Sequence, residues 1–141
     1  MANSYTQFSF TFPVNEAEQA WLQAKIDRLT ALIFGEVEPE TEWEEDLVEE
    51  SSFGLVVNFE EGAAYFMSEE SGNVELAIDV VQQFLSHFRP TAAIGFEWAN
   101  TCSKPRPGEF GGGACLITTT ETKFINTGLW LAEQMESKAT S

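Results

Sequence analysis

At 141 residues, 43% of them hydrophobic and with 12 Phe and 4 Trp, the chain has the length of one domain and enough apolar side chain to bury a core, which excludes a disordered polymer. Its 23 acids against 7 bases give a net charge of −16, which argues against direct binding to nucleic-acid backbones, since that affinity comes from Lys and Arg neutralising phosphates. No apolar run approaches the roughly 20 residues that span a bilayer. The opening Met-Ala-Asn-Ser-Tyr has no basic region ahead of an apolar one, so no secretory signal is expected and the cytoplasm is the expected compartment.

Taken in order, Tyr5 to Pro13 alternates, with Phe8, Phe10 and Phe12 on one face and Gln7, Ser9 and Thr11 on the other. That is the period of a half-buried strand. Asn15 then opens a helix, with Glu18 completing a capping-box pattern. Leu22, Ile26, Leu29 and Ile33 give that helix one apolar face, and Gly35 stops it. Glu36 to Glu50 is an acidic block without a cation. It reads as an inserted, mobile excursion of residues 36–50 from the single domain, with a short helix from Thr41 onward and Trp43 and Leu47 pinning it to the body. No Asp-x-Asp-x-Asp-Gly spacing marks it as a calcium loop.

Leu55 to Glu60, the turn Glu61-Gly62 and Ala63 to Ser68 read as a hairpin. A second helix, capped by Ser71 or Asn73, carries Ala77, Val80, Val81, Phe84, Leu85 and Phe88 and ends at Pro90. Ala92 to Ala99 is a strand with Ile94, Phe96 and Trp98 on one face. Thr101 to Ala114 combines prolines, glycines and two cations and reads as a long shaped loop. Ala114 to Thr120, running on toward Ile125, is a β-branched strand, and Asn126 caps a last helix to about Ser137. The order predicts an α+β fold: a ferredoxin-like split βαβ (βαββαβ) antiparallel sheet with an added C-terminal strand and helix.

Candidate chemistry is thin. One histidine, His87, and no Gly-x-Ser-x-Gly argue against a serine hydrolase, and nothing in the spacing favours a thiolate pair between Cys102 and His87. No zinc spacing and no histidine cluster is present, so no metal and no cofactor is expected. Cys102 and Cys115 flank the central loop as two free thiols, either adjacent at its base or unrelated. In that loop Lys104, Arg106, Gly108, Glu109, Phe110, Gly111, Gly112 and Gly113 could form an anion nest for a nucleotide or carboxylate. Against this, the cations could pair with Glu97 or Glu109 while the glycines only turn the chain. The acidic block offers the other candidate: Glu42, Glu44, Glu45, Asp46, Glu49 and Glu50 as charge and Trp43 as anchor, facing a basic partner. The bland alternative is a solvated surface that keeps the protein soluble.

The stretch Trp98-Ala-Asn-Thr-Cys-Ser-Lys-Pro-Arg-Pro-Gly-Glu-Phe-Gly-Gly-Gly-Ala114 resembles small acidic proteins of phage, prophage and plasmid genomes. The resemblance implies a mobile-element origin and inhibition of host machinery by occupying a protein surface. With the charge, it leads to a non-enzymatic binding protein that covers a basic surface on a bacterial defence or nucleic-acid-handling complex, of anti-CRISPR or anti-restriction type, nucleic-acid mimicry included. The alternatives are a nucleotide sponge built on the glycine-rich loop and an oligomeric accessory protein using a sheet edge.

Overall fold

A computed structural model of the protein describes residues 3–50 and 53–139. It is α+β: a six-stranded antiparallel sheet and four helices. Strand β1 (Ser4–Pro13) turns at Val14 into helix α1 (Glu16–Ile33). The capping box forms as the sequence predicts: the Glu18 N–H donates to Asn15 Oδ1 and the Asn15 N–H to Glu18 Oε1, each at 2.9 Å. Helix α2 (Glu42–Glu50) follows, then the hairpin β2 (Val56–Glu60) and β3 (Ala63–Ser68), helix α3 (Val74–Phe88), β4 (Ile94–Cys102), β5 (Gly111–Ile117), β6 (Thr122–Asn126) and helix α4 (Thr127–Ala139).

The strand order is β2-β3-β1-β4-β5-β6. β1 lies between β3 and β4, antiparallel to both, with Phe10 opposite Phe66 and Phe8 opposite Trp98. The alternation of β1 therefore sends Phe8, Phe10 and Phe12 to one face, where α1 and α3 cover the sheet. Leu22, Leu29 and Leu32 of α1 and Val80, Val81, Phe84 and Leu85 of α3 are buried against Phe8, Phe12, Phe66, Phe96 and Ile117. Phe10 and Phe96 stack with ring centroids 4.3 Å apart. Asn73 is the cap of α3, its Oδ1 accepting from the Leu76 N–H. Gln7, Ser9 and Thr11 on the other face are exposed, so that face is wet.

Two boundaries differ from expectation. The stretch after Ala114 is not one strand. It is the end of β5 and all of β6, folded back at Thr118 to Glu121: the Thr118 N–H donates to the Glu121 carbonyl, and the Glu121 N–H to Thr118 Oγ1. The central loop is also shorter than Thr101 to Ala114, because β4 runs to Cys102 and β5 starts at Gly111. Cys115 lies opposite Phe96, six residues along β4 from Cys102. At about 3.4 Å per residue the two cysteines are not neighbours, and both are free thiols. Among the described residues no helix is long and apolar enough to cross a membrane.

Candidate functional site

Helix α2 is sorted into two faces by the helical repeat. Thr41 caps it: the Glu44 N–H donates to Thr41 Oγ1 and the Glu45 N–H to the Thr41 carbonyl. Glu44, Leu47 and Val48 fall on the inner face, and Glu44 and Leu47 are buried there. Glu42, Glu45, Asp46 and Glu49, at i, i+3, i+4 and i+7, fall on the outer face, and all four are exposed. Glu36, Glu38 and Glu40 in the approach to the helix are exposed too. The segment thus presents seven exposed carboxylates, of which Glu40 lies 3.6 Å from Arg28 Nη2. The side chain of Glu50 lies outside the described residues.

Cations of α1 hold this segment in place. Arg28 grips Glu44 bidentately, Nε to Oε2 at 2.8 Å and Nη2 to Oε1 at 2.9 Å, and its Nη2 also donates to the Glu38 carbonyl. The Glu40 N–H donates to Glu44 Oε1. Arg28's hydrogen bonds hold the Glu44 carboxyl below its ordinary value, against burial, which pushes it up. Glu44 is therefore not a partner-facing charge, as its place in the acidic run suggests, but the inward anchor of the helix. Trp43 is half-buried rather than free: its indole N–H donates to Asp79 Oδ2 of α3 at 3.0 Å, and the Lys25 ammonium sits 6.0 Å from its ring and 5.4 Å from that of Trp21. Burial at that position lowers the Lys25 pKa. Beside Trp43 a cleft of about 170 Å³ is lined by Asp46, Leu47, Glu75, Leu76 and Asp79. Among the described residues no group of three or more His, Cys, Asp or Glu could hold a metal ion.

The second predicted site is not assembled as the anion nest requires. Gly111, Gly112 and Gly113 are strand residues, paired with Asn100, Ala99 and Trp98 of β4. Their lack of side chains serves packing. A Cβ on Gly113 would sit 2.5 Å from the Trp98 ring and clash with the Ile125 carbonyl, and one on Gly112 would clash with the Trp98 carbonyl. Lys104 and Arg106 are exposed, and neither is among the ion pairs of the described residues, so the expected pairing with Glu97 or Glu109 is not made. Gly108, Glu109, Phe110, Gly111 and Gly112 instead border a cleft of about 320 Å³ with Ser4, Thr6 and Asn100. Lys104 and Arg106 do not line it. The Glu109 carboxylate at its wall accepts from the Ser4 hydroxyl and is the wrong sign for an anion. His87 stacks on Trp21, ring centroids 5.5 Å apart.

Sequence reasoning missed the positioning residues, Lys25, Arg28 and Asp79. Their signal was the presence of two of seven cations three residues apart on α1, an unusual concentration in so acidic a chain. It also missed the distribution of charge. Residues 1–100 hold nineteen acids and three cations, and residues 101–141 hold four of each. The whole net charge lies in the first hundred residues. Comparison of the chain with family models, with curated proteins and with solved structures gives no match to any of them.

Proposed function

We propose that the protein is a non-enzymatic acidic binder that covers a basic, nucleic-acid-handling surface of a bacterial protein, with α2 as its contact element. One observation carries the reading: Glu42, Glu45, Asp46 and Glu49 form a single exposed stripe on a helix whose inner face is fixed by Arg28 and Trp43. A helix rises about 1.5 Å per residue, so the stripe carries one carboxylate per about 3.5 Å, close to the 3.4 Å per phosphate along one DNA strand. A helical line of negative charge at that density favours nucleic-acid mimicry over a merely solvated loop. The resemblance of Trp98 to Ala114 supports a mobile-element origin, an inhibitory role of anti-CRISPR or anti-restriction type, and action in the host cytoplasm. The four strands in the order β2-β3-β1-β4, joined through α1 and α3, support reading the body as a ferredoxin-like split βαβ unit extended by β5, β6 and α4.

The test is capture from bacterial lysate on the immobilised protein, with duplex DNA as competitor. The wild type is expected to retain a basic protein that DNA displaces and that salt releases, because screening weakens association driven by charge. The variant Glu42→Gln/Glu45→Gln/Asp46→Asn/Glu49→Gln is expected to retain it at least tenfold less. Capture that ignores salt, DNA and these four substitutions would sink the proposal.

A further inference from the structure

The C-terminal unit β6–α4 is the part of the molecule that its own core leaves unexplained. Every residue from Lys123 to Lys138 is exposed, yet the segment holds Phe124, Ile125, Leu129, Trp130, Leu131 and Met135, each between 53% and 65% exposed. Leu129, Trp130 and Leu131 are consecutive, so they project about 100° apart around the helix. A helix apolar on that many sides belongs in an interior, and a helix of this length standing in water is marginal. β6 is one edge of the sheet, paired only with β5. It is apolar on both faces: Phe124 lies opposite buried Cys115 on the helix-covered side, and Ile125 lies opposite Ala114 on the other. Such an edge is a template for another strand.

We infer that β6 and α4 form the two-fold interface of a homodimer. Size, charge and symmetry together select a second copy as the occupant. Six large apolar side chains, each more than half exposed, present on the order of 650 Å² in all, which with the polar atoms between them approaches the roughly 800 Å² that one partner contributes to a standard protein–protein interface. A two-fold contact places each patch against its own copy, so in a chain of charge −16 it can form only where charge balances. Residues 122–138 contain Lys123, Lys138, Glu133 and Glu136 and no other charge. A basic partner of the kind α2 suits would find no net charge to engage here.

The experiment is light scattering coupled to size exclusion on the full chain, from about 1 to about 100 µM, since a dimer's population depends on protomer concentration. The expected mass is twice the 15.7 kDa of one chain. Trp130→Glu/Leu131→Glu is expected to halve it, and so is the milder Phe124→Ser/Met135→Ser. The fold should survive in both, because none of these side chains belongs to the core. Val56→Glu, on the opposite sheet edge, is expected to remain dimeric. A monomeric wild type across that range, an open polymer, or a dimer unaffected by either α4 variant overturns the inference.

Discussion

Two arginine–carboxylate clamps do most of the polar work at the residue level, and they are built alike. Arg89, the C-cap of α3, holds Glu18 of α1 through Nε–Oε2 at 3.0 Å and Nη2–Oε1 at 3.1 Å, and its Nη2 also donates to the Pro13 carbonyl at 2.6 Å. Arg28 holds Glu44 in the same fork. Both carboxylates are buried, so removing an arginine strands a charge rather than merely deleting a surface pair. Arg28→Ala is expected to lower the urea midpoint and to strip amide-exchange protection from α2 first. Arg89→Ala should cost more, because its guanidinium also stacks 5.1 Å from the Phe84 ring in the core. Both carboxyls are held below their ordinary value, chiefly by the arginine hydrogen bonds. The sign follows: their contribution is complete above the unfolded carboxylate pKa of about 4.3 and is lost as pH falls through the lower folded values. A pH titration of unfolding free energy should therefore lose this contribution only below about pH 4, and Arg28→Ala should flatten part of that fall.

At the level of elements, the glycines of β5 show why a regular piece of sheet looked like a loop. Gly111, Gly112 and Gly113 carry the composition of a turn, but the Trp98 ring lies where a Cβ on Gly113 would be. Gly113→Val is expected to lower stability by about 2–3 kcal/mol through overpacking. Gly108→Ala, at φ +80° with open space around it, should cost only the left-handed strain of about 1 kcal/mol. Thermal unfolding of the two variants side by side checks the contrast. Periodicity made β1, α1 and α3 legible because each has one buried face and one wet face. The β5–β6 hairpin was not legible, since its turn, Thr118-Thr119-Thr120-Glu121, has no Gly, Pro or Asn and is closed by the Thr118 backbone and hydroxyl instead. The acidic helix was visible at Thr41, but Glu44 could not be told from Glu42 or Glu45 by composition. The helical repeat sets Glu44 beside Leu47, and the tertiary approach of Arg28, sixteen residues earlier, lets its carboxylate be buried there.

For the whole molecule the governing fact is that the excess of acid lies in the first hundred residues while most of the exposed large apolar side chains lie in the last forty-one. The first hundred residues hold the entire excess of acid, and the last forty-one are balanced. If the charged stripe engages a partner while the apolar end pairs with a copy, the dimer presents two acidic helices at once, and binding to a repetitive basic surface gains from effective concentration. The same asymmetry sets a cost in the free protein. Six exposed carboxylates, Glu36, Glu38, Glu42, Glu45, Asp46 and Glu49, with Arg28 held by Glu44 and Glu40, repel one another in the folded state more than in the expanded chain. Screening shortens the range of that repulsion from about 30 Å at 0.01 M salt to about 3 Å at 1 M. Sodium chloride added at neutral pH should therefore raise the thermal midpoint, by about 3–5 °C if roughly 1 kcal/mol of repulsion is relieved. The four-fold Gln/Asn variant of the α2 stripe should start higher at low salt and gain less. A midpoint that falls with salt in the wild type, or a variant with the wild-type salt response, would show that the stripe is not held rigid against the body and that its charge is already relaxed in the fold.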